Sequence, residues 1–417
     1  MLAVARLLRT GLTALLAVLL LAPAAAAATL QWTDQFGTPK GDAATSVALG
    51  VGGIYVAGRA GADLPGVSGA GGSDAFVRKY GADGTALWTR EFGTTDRDGA
   101  AGVATDSSGA YVVGTTAGEF DGQTTQGLHD GFVRKYSPTG TLLWTQQFGT
   151  SGEDAVHGVA VTADGVFVVG DTYATFDGQS PHGLLDAYVI SFTTSGTLRW
   201  LRQFGTSAGD DGSAIAGDGS AVYVSGETKG AFPGRINNGG GDAYVRKINS
   251  NGSTAWTRQF GTTGTDTGMG VAVNGSSVFV TGSTGGTFLH QEAVGGGDSY
   301  VRRYTTSGGT GWTNQFGTDQ RDDATAIAAS AGGEWVTGTT LGKFDGASKV
   351  GKADAFLVEL SAGAVLSSAD QFGSTDNDTG TGVAVSGSSS FVSGKTKGTL
   401  EGETHAGHSD AFAVRID

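Results

Sequence analysis

An all-β ring of seven four-stranded antiparallel sheets, a seven-bladed β-propeller, is the fold that this sequence predicts, and three observations predict it. The first is a marker on a strict beat: Gln35-Phe36-Gly37 returns as Glu91-Phe92-Gly93, Gln147-Phe148-Gly149, Gln203-Phe204-Gly205, Gln259-Phe260-Gly261, Gln315-Phe316-Gly317 and Gln371-Phe372-Gly373, each step 56 residues. Self-similarity at a fixed period of this size marks repeat architectures. The second is that each unit reads as four short strands with no helical periodicity. The third lies in the ends: a lone Trp-type strand, Leu30 to Phe36, stands ahead of the first unit, and the last unit stops at Ala411 to Asp417, one strand short. An open solenoid would leave a free edge, an aggregation hazard. A ring lets the first strand complete the last sheet.

Residues 1–28 read as a secretory signal, with Arg6 and Arg9 ahead of the apolar run Leu12 to Leu21 and small residues up to Ala28. The apolar run is shorter than the ~20 residues a spanning helix needs. A single domain over residues 29–417 is therefore expected, secreted or held at the cell surface or in the periplasm, with no membrane span. The chain has no cysteine, so packing must stabilise it without disulfides. Its 74 glycines recur at fixed repeat positions beside Val, Phe, Tyr and Trp, which is turn chemistry and not disorder.

The third unit shows the strands in order. Thr141 to Phe148 alternates large and polar groups and stops at Gly149, as a strand does. Gly158-Val159-Ala160-Val161, the turn at Ala163-Asp164-Gly165, and Val166-Phe167-Val168-Val169-Gly170 make a tight hairpin. A long connection from Asp171 to Leu185 leads to Ala187 to Phe192, and Thr194-Ser195-Gly196 turns into the next Trp strand. Trp32, Trp88, Trp144, Trp200, Trp256 and Trp312 mark six of these last strands. Position 368 is Ser. Trp and Phe four apart share one face of their strand and are expected to pack between blades. Gly58, Gly114, Gly170, Gly226, Gly282, Gly338 and Gly394 end the second hairpin strand, where a bulge or a close approach of the next blade is expected to forbid a side chain.

The run Asp74-Ala75-Phe76-Val77-Arg78-Lys79-Tyr80, the aromatic strand, the Gly/Asp-rich loop, Gly158-Val159-Ala160-Val161 and Val222-Tyr223-Val224-Ser225-Gly226-Glu227-Thr228 together resemble the SBBP family of bacterial seven-bladed propeller repeats. The resemblance runs through all seven units, although Gln-Phe-Gly-Thr stands where the family has Tyr-Leu-Gly-Gly. It implies an exported or surface-associated propeller and carries over no catalytic residue.

Antiparallel order puts both long loop types of every unit on one face and only tight turns on the other. Function on a rigid scaffold usually sits on the longer loops. Most of the 40 carboxylates fall on those loops, and the net charge of the whole chain is −14. Such a face repels nucleic acid, whose binding requires clustered Lys and Arg. It suits cations, or an extracellular glycan, peptide or protein bound by a monomer.

Two aspartate series repeat in every unit: Asp42, Asp98, Asp154, Asp210, Asp266, Asp322 and Asp378, and Asp74, Asp130, Asp186, Asp242, Asp298, Asp354 and Asp410. Calcium at the Asp98-type loops is one reading, since that ion takes clustered oxygens. The other is that each carboxylate accepts turn N–H groups and fixes its loop, a task every blade shares. No cofactor and no metal is assigned. Candidate ligand-binding residues are those where units disagree: Tyr173, His182, Arg235, His290, Glu292, His405 and His408. An enzyme is the alternative, a metal-assisted lyase or hydrolase with His157 beside Glu153 and Asp154. The chain has no zinc-helix motif or phosphate loop. A structural or adhesive envelope component is the third reading.

Overall fold

The computed structural model describes residues 29–417. The expected leader, residues 1–28, lies outside the described residues. Strand formation follows the alternation read above, and the sheets number seven, each of four antiparallel strands. Blade 1 shows the common order from the axis outward: Ala43–Gly50, Gly53–Ala60, Asp74–Tyr80 and Ala86–Phe92. The ring closes as the ends require. Blade 7 is Asp378–Ser386, Ser389–Thr396, Asp410–Ile416 and the amino-terminal strand Leu30–Phe36, with Phe36 opposite Ala411 and Gln35 opposite Phe412. Thr29 and Asp417 exchange backbone hydrogen bonds at 2.9 and 3.1 Å and tie the seam. Every blade thus has its full complement of strands, and no edge of blade 7 is left short.

Apolar side chains from facing sheets fill the space between blades. Phe36 on the outer strand of blade 7 meets Phe76 of blade 1 edge-on at 5.3 Å, and Phe92 meets Phe132 in the same way at 5.8 Å. Trp88 donates its indole N–H to the Pro138 carbonyl in the outer turn of blade 2 at 3.2 Å. Trp32, Trp144, Trp200 and Trp256 do likewise with Ala82, Thr194, Ser250 and Thr306. The glycine in each receiving turn, such as Gly140 with φ +81°, leaves room for the ring. The tryptophans therefore do pack between blades.

The same contacts account for Ser368. It stands on the outer strand of blade 6, Leu366–Phe372, whose neighbour is blade 7. There the two strands that the turn would join are the last and the first of the described chain, so no continuous outer turn waits to receive an indole.

The glycines expected to end the second strand lie two residues inside it, as Gly58 does in Gly53–Ala60 and Gly170 in Gly165–Thr172, and the neighbour that excludes a side chain also differs from the expectation. A Cβ on Gly58 would strike the Ala43 carbonyl and Phe76, both in its own blade, and Gly114 and Gly170 meet Gly99 and Ala155 carbonyls in the same way. The close approach comes from the blade's own innermost strand, not from the next blade. That strand bulges beside the glycine, between Ala44 and Ser46 in blade 1 and between Val156 and Gly158 in blade 3.

Candidate functional site at the channel mouth

The seven innermost strands surround a cavity of about 760 Å³ on the axis. The bulge turns one residue per blade toward it: Thr45, Ala101, His157, Ser213, Met269, Thr325 and Thr381. Three of these are threonines that secure the backbone. Thr45 donates to the carbonyls of Ala57 and Ala100 and so links blade 1 to blade 2, and Thr325 and Thr381 link their blades in the same way. Blades 2 and 5 carry the uncharged Ala101 and Met269 there, and blades 3 and 4 bring ionisable groups to the cavity.

His157 lies in the bulge of Asp154–Thr162, and its Nε2 is 2.7 Å from Oδ2 of Asp171 on the facing strand Gly165–Thr172. Asp171 is 8% exposed, while the imidazole keeps 39% of its side-chain surface open to the cavity. Asp211, on the blade 4 side, accepts from the Glu227 N–H at 2.8 Å and from Ser213 Oγ at 2.9 Å. Tyr173, 62% exposed, borders the same cavity. Burial works against a charged ring on His157, but the hydrogen bond and charge of Asp171, with Asp211 behind it, outweigh this and hold its pKa above the ordinary value. Burial raises Asp211, against the Glu227 N–H and Ser213, and the charge of Asp171 adds to the rise. Glu227 is also raised, by burial and by Asp211. The mouth is charge-segregated. At the repeat position of Asp171 and Glu227, blades 1 and 7 carry the exposed Arg59 and Lys395.

This geometry revises the expected surroundings of His157. Its partners are Asp171 and Asp211, not Glu153 and Asp154. Asp154 turns instead to Thr150, accepting its N–H at 2.6 Å and its hydroxyl at 2.9 Å. The exposed Glu153 lies 3.9 Å from His129.

The other variable residues do not gather at the mouth as one site. His182 donates its backbone N–H to Asp186 at 2.8 Å, and its side chain is exposed. Arg235 and Glu292 are exposed on the loops of blades 4 and 5. His290 adopts φ +65° at a turn position where Gly122, Gly178 and Gly234 have φ between +71° and +75°, and Leu289 beside it is 83% exposed. His405 turns its Nδ1 to Asp410 at 3.2 Å, and His408 is exposed with its backbone N–H on the Lys40 carbonyl.

Both aspartate series serve as loop anchors. Every Asp98-type carboxylate is 0–2% exposed and accepts the N–H and hydroxyl of the Thr or Ser four residues earlier, as Asp98 does from Thr94 at 2.6 and 3.0 Å. Every Asp74-type carboxylate accepts a loop N–H, such as Gln126 to Asp130 at 2.8 Å. In Asp98 and Asp210 both donors fall on Oδ2, and Oδ1 is buried without a hydrogen-bond partner.

No family model matches the chain. The regulatory protein FlaEY of Caulobacter vibrioides is 26% identical over an alignment of 361 residues that covers 76% of this chain and 38% of that protein, so the chain spans well under half of that relative's length. The WD40 domain of Neurospora crassa Pan2 superposes with a TM-score of 0.53 at 10% identity, covering 93% of this chain and 96% of that one. That likeness is one of fold. The chain is a seven-bladed β-propeller.

Proposed function

We propose that the protein is a non-catalytic binding and scaffold propeller, exported as the SBBP resemblance implies, that holds a basic segment of a protein or peptide partner at the acidic sector of its channel mouth. The observation that carries this reading is the concentration of Asp171, Asp211 and exposed Tyr173 in one sector of a ring whose other blades present Thr45, Ala101, Met269, Thr325 and Thr381. An exposed aromatic beside carboxylates offers a cationic side chain both ring and charge. A rigid ring bearing variable loops suits recognition, because the scaffold fixes the groups at little entropic cost on binding. The name of FlaEY, a regulatory protein, agrees with an interaction role, and the propeller fold itself serves binding in many settings. Titration of the mature chain against peptide and glycan arrays tests the reading. Enrichment of Lys- and Arg-containing peptides, weakened by Asp171→Asn, is the expected outcome, and uniform indifference to charge would end it.

The His157 pair favours a second reading, a lyase or hydrolase in which Asp171 orients His157 as general base. Turnover of array substrates by the wild-type chain, abolished by His157→Gln, would establish it over pure binding.

A further inference from the structure

In six blades a glutamine fastens the outer strand to the long loop. Gln147 accepts the Phe120 N–H at 3.0 Å and donates its Nε2 to the Gly118 carbonyl at 2.9 Å and to Asp130 Oδ2 at 2.8 Å. Gln35, Gln203, Gln259, Gln315 and Gln371 make the same three contacts in their blades. Blade 1 has Glu91 at this place. Its Oε2 still accepts the Leu64 N–H at 2.8 Å, but an ionised carboxyl has no proton to give to Asp74. Oε1 of Glu91 is buried without a hydrogen-bond partner. Carboxylate oxygens of Asp63, Asp74 and Glu91 lie within 4.8 Å of one another, converging on the point where a Cβ on Gly69 would stand. The six sister blades act as an internal control: they have the corresponding loop, the same aspartate and a donor at the place where blade 1 has none.

We propose that blade 1 carries a proton-dependent latch, in which the loop between Ala60 and Asp74 is fully fastened only while Glu91 is a neutral carboxylic acid whose hydroxyl donates to Asp74. The charged groups around Glu91 are Asp74 at the start of the third strand, Asp63 in the loop and Asp42 ahead of the innermost strand, all acidic. Arg78, on the third strand, is engaged at 3.0 Å by Asp34 of the neighbouring blade. Burial, opposed by the Leu64 N–H and reinforced by the three aspartates, pushes the Glu91 carboxyl up to about 7. A folded value above the unfolded one gives a stabilising contribution complete below the unfolded value of 4.5 and lost as pH rises through about 7. The latch therefore releases on the alkaline side. The loop it frees lies on the long-loop face, so this face is more ordered in mild acid.

Hydrogen exchange of the mature chain tests this without reference to any partner. The blade 2 loop, residues 117–129, serves as reference and cancels the intrinsic effect of pH on exchange. Between about pH 5 and about pH 9, exchange in residues 61–73 relative to that reference is expected to rise roughly tenfold or more, with a midpoint near 7. In Glu91→Gln the ratio is expected to stay flat, and its thermal midpoint should match the wild type in acid and exceed it by several degrees in alkali. A wild-type ratio that does not change with pH overturns the proposal. So does a ratio flat with pH that rises on chelation, which would put a bound cation in the proton's place, or a Glu91→Gln chain less stable than wild type throughout.

Discussion

The two aspartate series and the channel mouth are built at the same end of the same seven blades, yet they differ in how their carboxylates are used. Asp154 spends its oxygens on Thr150 and has almost no exposed surface. Asp171, seventeen positions further along the chain, points one oxygen at an imidazole that is open to the cavity. The first group is repeated in every blade because every loop must be held. The second occurs in one sector because only one sector faces its proposed partner. Identity across the repeats marks what builds the ring, and departure from it marks where the ring is specialised.

Removing a repeated anchor should cost most. Asp154→Ala leaves the Thr150 N–H buried without its acceptor, and chemical denaturation should show a loss of about 2–4 kcal/mol. Asp171→Asn, at the specialised site, should cost far less. Close behind comes the inter-blade aromatic. Trp144→Ala takes away the ring over Gly196 and the hydrogen bond to Thr194, and a loss of about 2–3 kcal/mol is expected from the same measurement. His290→Gly should act in the opposite direction, stabilising by about 1 kcal/mol, because a side chain there occupies a left-handed turn that glycine fills without strain. A destabilised His290→Gly chain would mean that the imidazole has a bonding role in that loop. Smallest of all, Ser368→Trp should leave stability within about 0.5 kcal/mol, since no continuous turn stands opposite to receive the indole. A gain as large as the Trp144 loss would undo the seam explanation.

The ring was fully legible in the sequence because a period without insertions fixes strand order, and the unpaired first strand named its own partner. The role of the aspartates was legible for the same reason: a residue needed in every blade is answerable to something every blade has. The site was only half visible. His157 drew notice as a histidine next to acids in the chain, and the neighbours Glu153 and Asp154 were the wrong ones. In an antiparallel hairpin the true neighbour lies across the strand pair, and the bulge at Val156 and Gly158 decides which way the ring turns. Alignment of the seven units held a signal for Asp171, since Arg59, Thr115, Asp171, Glu227, Ser283, Thr339 and Lys395 disagree at a position flanked by agreement. Glu91 was equally plain as the one acid in the glutamine series. Its consequence lies in the fold and not in the chain order, because the loop brings Asp74 to the place where the amide would have donated.

The central claim is that the blade 3 and 4 sector of the mouth is where the partner is held. Affinity for a Lys- and Arg-rich peptide ligand selected on the wild-type chain, measured by calorimetry for Asp171→Asn/Asp211→Asn and for Asp83→Asn/Asp106→Asn on the tight-turn face, tests it most directly. The account predicts a loss of roughly tenfold or more for the mouth pair, shrinking with added salt, and no change for the turn pair. Equal losses from both pairs, or a loss confined to the turn pair, would contradict it.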